Sequence, residues 1–311
     1  VVGGELNVAA GVARLGLKSG WISRLPENPL GRLLENRARQ AGVDTSHILW
    51  SKGSRMGLYF VEFGAAPRPS SVLYDRANSA ISQIKPGEVD WAAAFKGARW
   101  LHVSGITPAL SSSAAATTLE ALRAAKKARL TVSYDLNYRG KLWSPEEAQV
   151  CQEPLMSLVD VLITTEEDTG VVFGVRATGK SKDNEFTNVS AGPYKEVAQK
   201  LQEKFKFKAV AITLRENPLV WRNTWTAIVY AEGKFYEDVK YDIEVVDRIG
   251  GGDAFSAGFI FGYLKKNSYA MGVRYGNAFS ALKHSNPGDF CWATEEEVKR
   301  LMKGASLRVA R

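Results

Sequence analysis

The feature that most constrains the fold is an alternation of short apolar runs with helical stretches through the middle of the 311-residue chain. The runs 100–106, 130–135, 159–164 and 209–214 are rich in β-branched, aliphatic and aromatic residues, while 112–128 and 166–173 read as helices. Strands separated by helices at this spacing are the pattern of βαβ units. The expected fold is therefore α/β, a mostly parallel central sheet flanked by helices. In such a sheet ligands sit beyond the carboxyl ends of the strands. The residues there are Ser104-Gly105-Ile106, Asp135 with Asn137 and Arg139, Thr165 with Asp168, and Arg215-Glu216.

Ahead of this core, apolar residues at 6, 8, 9, 12, 13, 15 and 17 form a helical stripe that Gly16 ends. A short strand is expected over 21–25. A turn at 28–31 leads into a helix over 32–41, stopped by Gly42-Val43-Asp44. Segments 57–63 and 71–74 alternate in residue type around a turn, which predicts a hairpin. The polar stretch 178–192 reads as a surface loop.

The chemistry concentrates in Val246-Asp247-Arg248-Ile249-Gly250-Gly251-Gly252-Asp253, which runs into an apolar helix expected from Ala254 to Leu264. Glycine has no Cβ, so the backbone of Gly250, Gly251 and Gly252 lets a ligand approach closely. Unpaired N–H groups and the positive dipole end at a helix start gather an anion. Asp253 stands in the mouth of that cradle. An anion hole beside a carboxylate suits phosphoryl transfer, in which the carboxylate accepts the proton of an attacking hydroxyl. The plainer alternative is a glycine turn capped by Asp253. After the strand that ends at Asp135, Asn137 and Arg139 could bind hydroxyls and a carboxylate, since arginine forks onto a carboxylate through two parallel hydrogen bonds.

Bulk properties exclude several classes. No apolar run reaches the roughly 18 residues of a membrane span. Two cysteines, Cys151 and Cys291, do not make a disulfide scaffold and fit a reducing cytosol. His47, His102 and His284 lie far apart, without zinc-site spacing. The net charge of +8 is dispersed, with no interleaved basic and aromatic strip, so nucleic acid is not the expected partner. The chain starts at Val1 and enters Gly3-Gly4 and a helix at once, from which a preceding segment of the native chain is expected.

The stretch 247–253 resembles the C-terminal signature of the PfkB (ribokinase-like) sugar kinases, Asp-Thr-x-Gly-Ala-Gly-Asp, with Arg248 for Thr and Gly251 for Ala. Gly3, Gly4, Asn7 and Ala9 are similar to the N-terminal Gly-Gly-x-x-x-Asn-x-Ala of that family. The resemblance spans nearly the whole chain and implies one ribokinase-like kinase domain over 1–311, with lid strands at about 57–76 and a first core strand missing at the start. It makes Asp253 the catalytic base and Gly250–Gly252 the anion hole. Asp-x-Asn-Tyr-Arg-x-x-Leu-Trp at 135–143, Gly105-Ile106-Thr107-Pro108-Ala109-Leu110 and the tail 284–289 look most like the 2-keto-3-deoxygluconate kinases. By that likeness Gly3, Tyr59, Tyr74, Arg76, Ile106 and Arg139 contact the sugar. Arg76 and Arg139 suit an acidic one.

ATP and magnesium are implied as cofactors. The family's Asn-x-x-Glu motif appears as Thr165-Glu166-Glu167-Asp168, which leaves Asp168 to act on magnesium through water. Lys-x-Gly near the nucleotide becomes Leu214-Arg215-Glu216, so Arg215 takes the nucleotide side together with Asn286. The expected activity is phosphorylation of 2-keto-3-deoxygluconate to its 6-phosphate, in the cytoplasm, by a homo-oligomer. The alternatives are a PfkB kinase for fructose or ribose, and a non-catalytic sugar-binding protein on the same fold. Gly174 to Ser181 matches the P-loop pattern letter for letter, but a helical segment precedes it and no apolar helix follows, so it reads as a loop. The sequon at Asn188 has no use in a cytosolic chain.

Overall fold

In the computed structural model, residues 3–65, 67–178 and 191–304 are described. The P-loop-like lettering ends at 179–181 and the sequon at 188–190, both outside the described residues, as is most of the loop expected over 178–192.

The chain begins with helix α1 (Gly4–Arg14), strand β1 (Ser23–Pro26), helix α2 (Pro29–Gln40) and strand β2 (Ile48–Ser51). Asn28 caps α2, accepting from the N–H groups of Leu30 and Gly31, and Pro29 takes the first helical position. The helix thus starts three residues before the expected Arg32, since a proline there has no N–H to lose. The hairpin β3 (Leu58–Glu62) and β4 (Ser71–Asp75) follows, antiparallel, with Tyr59 opposite Tyr74. Then come α3 (Trp91–Ala94), β5 (Trp100–Ser104), α4 (Ile106–Ala109), α5 (Ser112–Lys127), β6 (Thr131–Asp135), α6 (Pro145–Gln152), β7 (Val161–Thr164), α7 (Glu166–Val172) and α8 (Ala191–Phe205). The last part is β8 (Ala209–Leu219), β9 (Arg222–Ala231), β10 (Lys234–Glu237), β11 (Tyr241–Glu244), α9 (Gly251–Lys266), α10 (Tyr269–Lys283) and α11 (Glu295–Met302).

The main sheet runs β10-β9-β8-β7-β6-β5, with β11 also on β9. Strands β5 to β8 are parallel, and β9, β10 and β11 join antiparallel. Side chains alternate between two cores. Leu162, Val210 and Ile212 face Leu122 of α5 and Val197 of α8; Val161, Ile163, Ala209 and Ala211 face Phe255 and Phe259 of α9. Burial on both faces is why these strands are almost uniformly apolar.

Helix α9 is apolar on every side because it lies between the sheet, α1 and α10. Small residues make that crossing possible: a Cβ on Gly258 would lie 2.5 Å from the Tyr275 carbonyl. The hairpin β3–β4 stands apart as a two-stranded sheet. Tyr59, Val61, Val72 and Tyr74 turn to its partly covered face, while Leu58, Phe60 and Leu73 are exposed on the other.

Candidate active site

One cleft gathers the carboxyl ends of β5, β6 and β7, the first turns of α1 and α9, the inner face of the β3–β4 hairpin, and the middle of β8 at Thr213 to Arg215, since β8 runs on to Leu219 and Arg215 lies within the strand rather than beyond its end. Gly3, Tyr59, Tyr74, Arg76, Ile106, Arg139, Asp168, Arg215 and Gly250 to Asp253 all line it. Asn286 does not. Its amide donates to the carbonyls of Pro287 and Phe290, so its side chain holds its own loop.

The glycine turn differs from expectation in one respect. Helix α9 begins at Gly251, and Asp253 is the third residue of its first turn. Low helix propensity conceals such a start in a sequence. Here Gly250 is the cap, at φ 79°, and its carbonyl accepts the first helical bond from Ala254 N–H at 2.8 Å. A side chain at Gly250 would be 2.2 Å from the Asp289 carbonyl. At Gly252 nothing stands within 4 Å, so that position opens onto the cleft. Gly251 N–H donates to the Arg248 carbonyl, whereas those of Gly252 and Asp253 have no acceptor among the described residues. Two free N–H groups at the positive end of a sixteen-residue helix offer donors that an anion could accept.

Asp253 is walled by α1. Asn7 Nδ2 donates to its Oδ2 at 2.7 Å, and a Cβ on Gly4 would lie 3.6 Å from its Oδ1. Burial pushes the Asp253 carboxyl up to about 7, against the Asn7 hydrogen bond, with Glu5 adding to the rise and Arg139 opposing it. A group poised near neutrality serves as a general base. Asp168, in the first turn of α7, is pushed up to about 6, also by burial, while Arg139 pulls it down. Asp135 is raised well above the carboxylate range, first by burial and then by Asp253 and Asp168. Asp135, Asp168 and Asp253 all line the cleft with Arg139, whose charge opposes the rise of each.

The hairpin side is cationic. The Arg76 guanidinium lies 4.1 Å from the Tyr74 ring centroid, and its Nη2 is buried without an acceptor among the described residues. Burial lowers its pKa, Tyr74 raises it, and Arg139 lowers it further. Two guanidinium groups therefore share one region, and an unpaired buried donor there is costly until an anion arrives. Asn137 Nδ2 donates to Ser104 Oγ at 3.1 Å, and Ile106 N–H reaches the same oxygen at 3.3 Å. On the far side of the glycine turn Arg215 is exposed to the cleft; burial of its surroundings and the nearby Arg248 lower its pKa.

Two contacts were not read from the sequence. Asn7 meets Asp253 across 246 residues, and Tyr59 OH donates to Asp289 Oδ2 at 2.9 Å across 230. A signal existed for the first: Asn7 is a polar residue inside an apolar helical stripe and is 6 % exposed. Among the described residues no group of three or more His, Cys, Asp or Glu is arranged to hold a metal ion. Asp168 on the cleft wall is the kind of carboxylate that meets a magnesium ion whose other ligands are nucleotide phosphates and water.

A family model described as pfkB family carbohydrate kinase matches residues 1–291. The chain is 36% identical to a 2-dehydro-3-deoxygalactonokinase of Haloferax volcanii, over 99% of this chain and 89% of the relative. It is 33% identical to a 2-dehydro-3-deoxygluconokinase of Bacillus subtilis, over 93% and 82%. Its structure is similar to the crystal structure of 2-dehydro-3-deoxygluconokinase from Thermotoga maritima, with a TM-score of 0.90 and 41% identity, covering 97% of this chain and 89% of that one.

Proposed function

This chain belongs to the pfkB family of carbohydrate kinases, and on that premise we propose that it transfers the γ-phosphoryl group of ATP to the primary hydroxyl of 2-keto-3-deoxygluconate, giving the 6-phosphate. The observation that carries the substrate class is the pair Arg76 and Arg139, with a buried Arg76 Nη2 that lacks an acceptor among the described residues. A hydroxyl of a neutral sugar can accept from that donor, but only a carboxylate also meets the two positive charges and forks onto a guanidinium through two parallel hydrogen bonds. The names of the relatives in Haloferax, Bacillus and Thermotoga support the same class.

In this reading the sugar acid lies between the hairpin and the strand ends. Its carboxylate meets Arg76 and Arg139, and Gly3, Tyr59, Tyr74 and Ile106 shape the remaining wall. Asp253 accepts the proton of the attacking hydroxyl. The free N–H groups of Gly252 and Asp253 hold charge that develops on the moving phosphoryl group. The nucleotide would lie toward Arg215, and Asp168 would be the residue that holds the magnesium. Bound magnesium neutralises phosphate charge. Closing the hairpin over the sugar excludes bulk water, which suppresses ATP hydrolysis. The exposed outer face with Leu58, Phe60 and Leu73 supports association between copies of the chain through the hairpin. No described helix is long and apolar enough to cross a membrane.

The test is ADP release with ATP and magnesium, across 2-keto-3-deoxygluconate, its galactonate epimer, fructose, ribose and no sugar. Release with a keto-deoxy acid alone is expected. Preference for the epimer would correct one stereocentre. Equal release with a neutral sugar would overturn the carboxylate assignment of Arg76 and Arg139.

A further inference from the structure

Lys283 is the last residue of α10 and is completely buried, among the largest fully enclosed side chains of the protein. It does not line the cleft. Lysine is almost never fully buried unless its charge is met. Here Nζ donates to the carbonyl oxygens of Asp247, at 3.1 Å, and Asn286, at 3.3 Å. Burial lowers its pKa, and the carboxylates of Asp247 and Asp289 work against that fall.

Those carbonyls belong to two loops that frame the anion hole. The Asp247 carboxylate accepts from Ile249 N–H with one oxygen and from Gly288 N–H with the other, both at 2.9 Å. Asp289, one residue on, presses its carbonyl against Gly250 and receives the Tyr59 hydroxyl from the hairpin. The ammonium therefore joins the loop before the glycine turn to the loop that wedges it. Stability alone does not explain a lysine here, because an apolar chain of similar volume would avoid the cost of desolvating the charge. The geometry explains it.

We propose that Lys283 is a positioning residue for phosphoryl transfer, its buried ammonium tying 247–250 to 286–289 so that the Gly252 and Asp253 N–H groups stay aimed at the transferring group. The proposal rests on the reading of that turn as the anion hole. It acts through the backbone, so it should appear in the chemical step and leave ground-state binding nearly intact.

The test is Lys283→Met, which keeps length and volume and removes the charge. Loss of aim at one such donor site predicts a fall in kcat of at least about tenfold, with KM for ATP and for the sugar acid within about threefold. Hydrogen exchange on the ligand-free protein gives a readout that needs no activity. The amides of Ile249, Gly251 and Gly288 should exchange at least about tenfold faster than in the native protein, with β6, β7 and β8 unchanged. An unchanged kcat, unchanged exchange at those amides, or uniform acceleration throughout the sheet would each overturn the proposal. A variant that fails to fold would make Lys283 a folding element and overturn it too. If the native protein phosphorylates no sugar, the functional reading fails, and exchange alone decides whether the tie exists.

Discussion

Asp253→Asn separates two consequences of burying a carboxylate, and they have opposite signs. The substitution keeps size and shape, and the new side-chain carbonyl can still accept from Asn7 Nδ2, which donates to Asp253 at 2.7 Å. It removes the proton acceptor. Loss of a general base costs about 10²–10⁴-fold in kcat. The stability effect follows from the raised pKa, about 7 in the folded chain against an ordinary 3.8. A carboxyl raised on folding contributes its full stability below the unfolded pKa and loses it as pH rises through the folded one. The native protein should therefore weaken between about pH 4 and pH 7 relative to the variant, then hold a constant deficit above pH 7. A rise of about three pH units at 1.36 kcal/mol each gives a deficit on the order of 4 kcal/mol. Asp253 keeps a minor part of its surface open to the cleft, which makes that figure an upper bound. The assays are ADP release and urea unfolding of both proteins at pH 5, 6, 7 and 8. A dead variant that outlasts the native protein at pH 8 by more than at pH 5 is expected. A kcat within tenfold of native would remove Asp253 as the base. A stability difference that does not grow with pH would remove burial as the cause of the raised pKa.

Two further perturbations probe the neighbours. Asn7→Ala removes the hydrogen bond that favours the charged carboxylate. The native kcat/KM should rise with pH through about 7, and in this variant that limb should move one to two pH units higher, the equivalent of about 1.5–3 kcal/mol for a hydrogen bond to a charge. A limb that stays in place would mean another group sets it. Arg139→Leu should lower kcat/KM for the sugar acid by at least about 30-fold, or 2 kcal/mol, and leave any turnover of ribose or fructose within threefold. It is best read at pH 8, because Arg139 also holds down Asp168 and Asp253. An undiminished rate with the acid would exclude a carboxylate clamp at that position.

The sequence disclosed what depends on local chemistry. Strands β5 to β8 were legible because both faces are buried and each reads as an apolar run. The antiparallel addition β9 to β11 was not, because charged and polar residues such as Arg222, Asn223, Thr224 and Lys234 interrupt its runs at one side of the sheet. The glycine turn was legible as chemistry but not as a boundary: weak helix formers concealed the start of α9 at Gly251. Gly3, Tyr59, Tyr74, Arg76, Ile106, Arg139, Asp168 and Arg215 converge on one cleft, whereas Asn286, placed by its neighbours in the chain, turns to its own loop.

What stayed hidden is a property of pairs. No local pattern announces that Asn7 bonds to Asp253, or that Lys283 spans two loops through backbone carbonyls. These contacts also determine the chemistry. As a residue in a sequence, Asp253 is an acid of pKa 3.8 that is ionised at neutral pH and a weak proton acceptor. Folding brings α1 over it, and burial moves the same group to about 7, where it can take a proton from a hydroxyl in one step and release it in the next. The residue type names the candidate; desolvation beneath a helix that begins 249 positions earlier gives it the raised pKa that the proposed base needs.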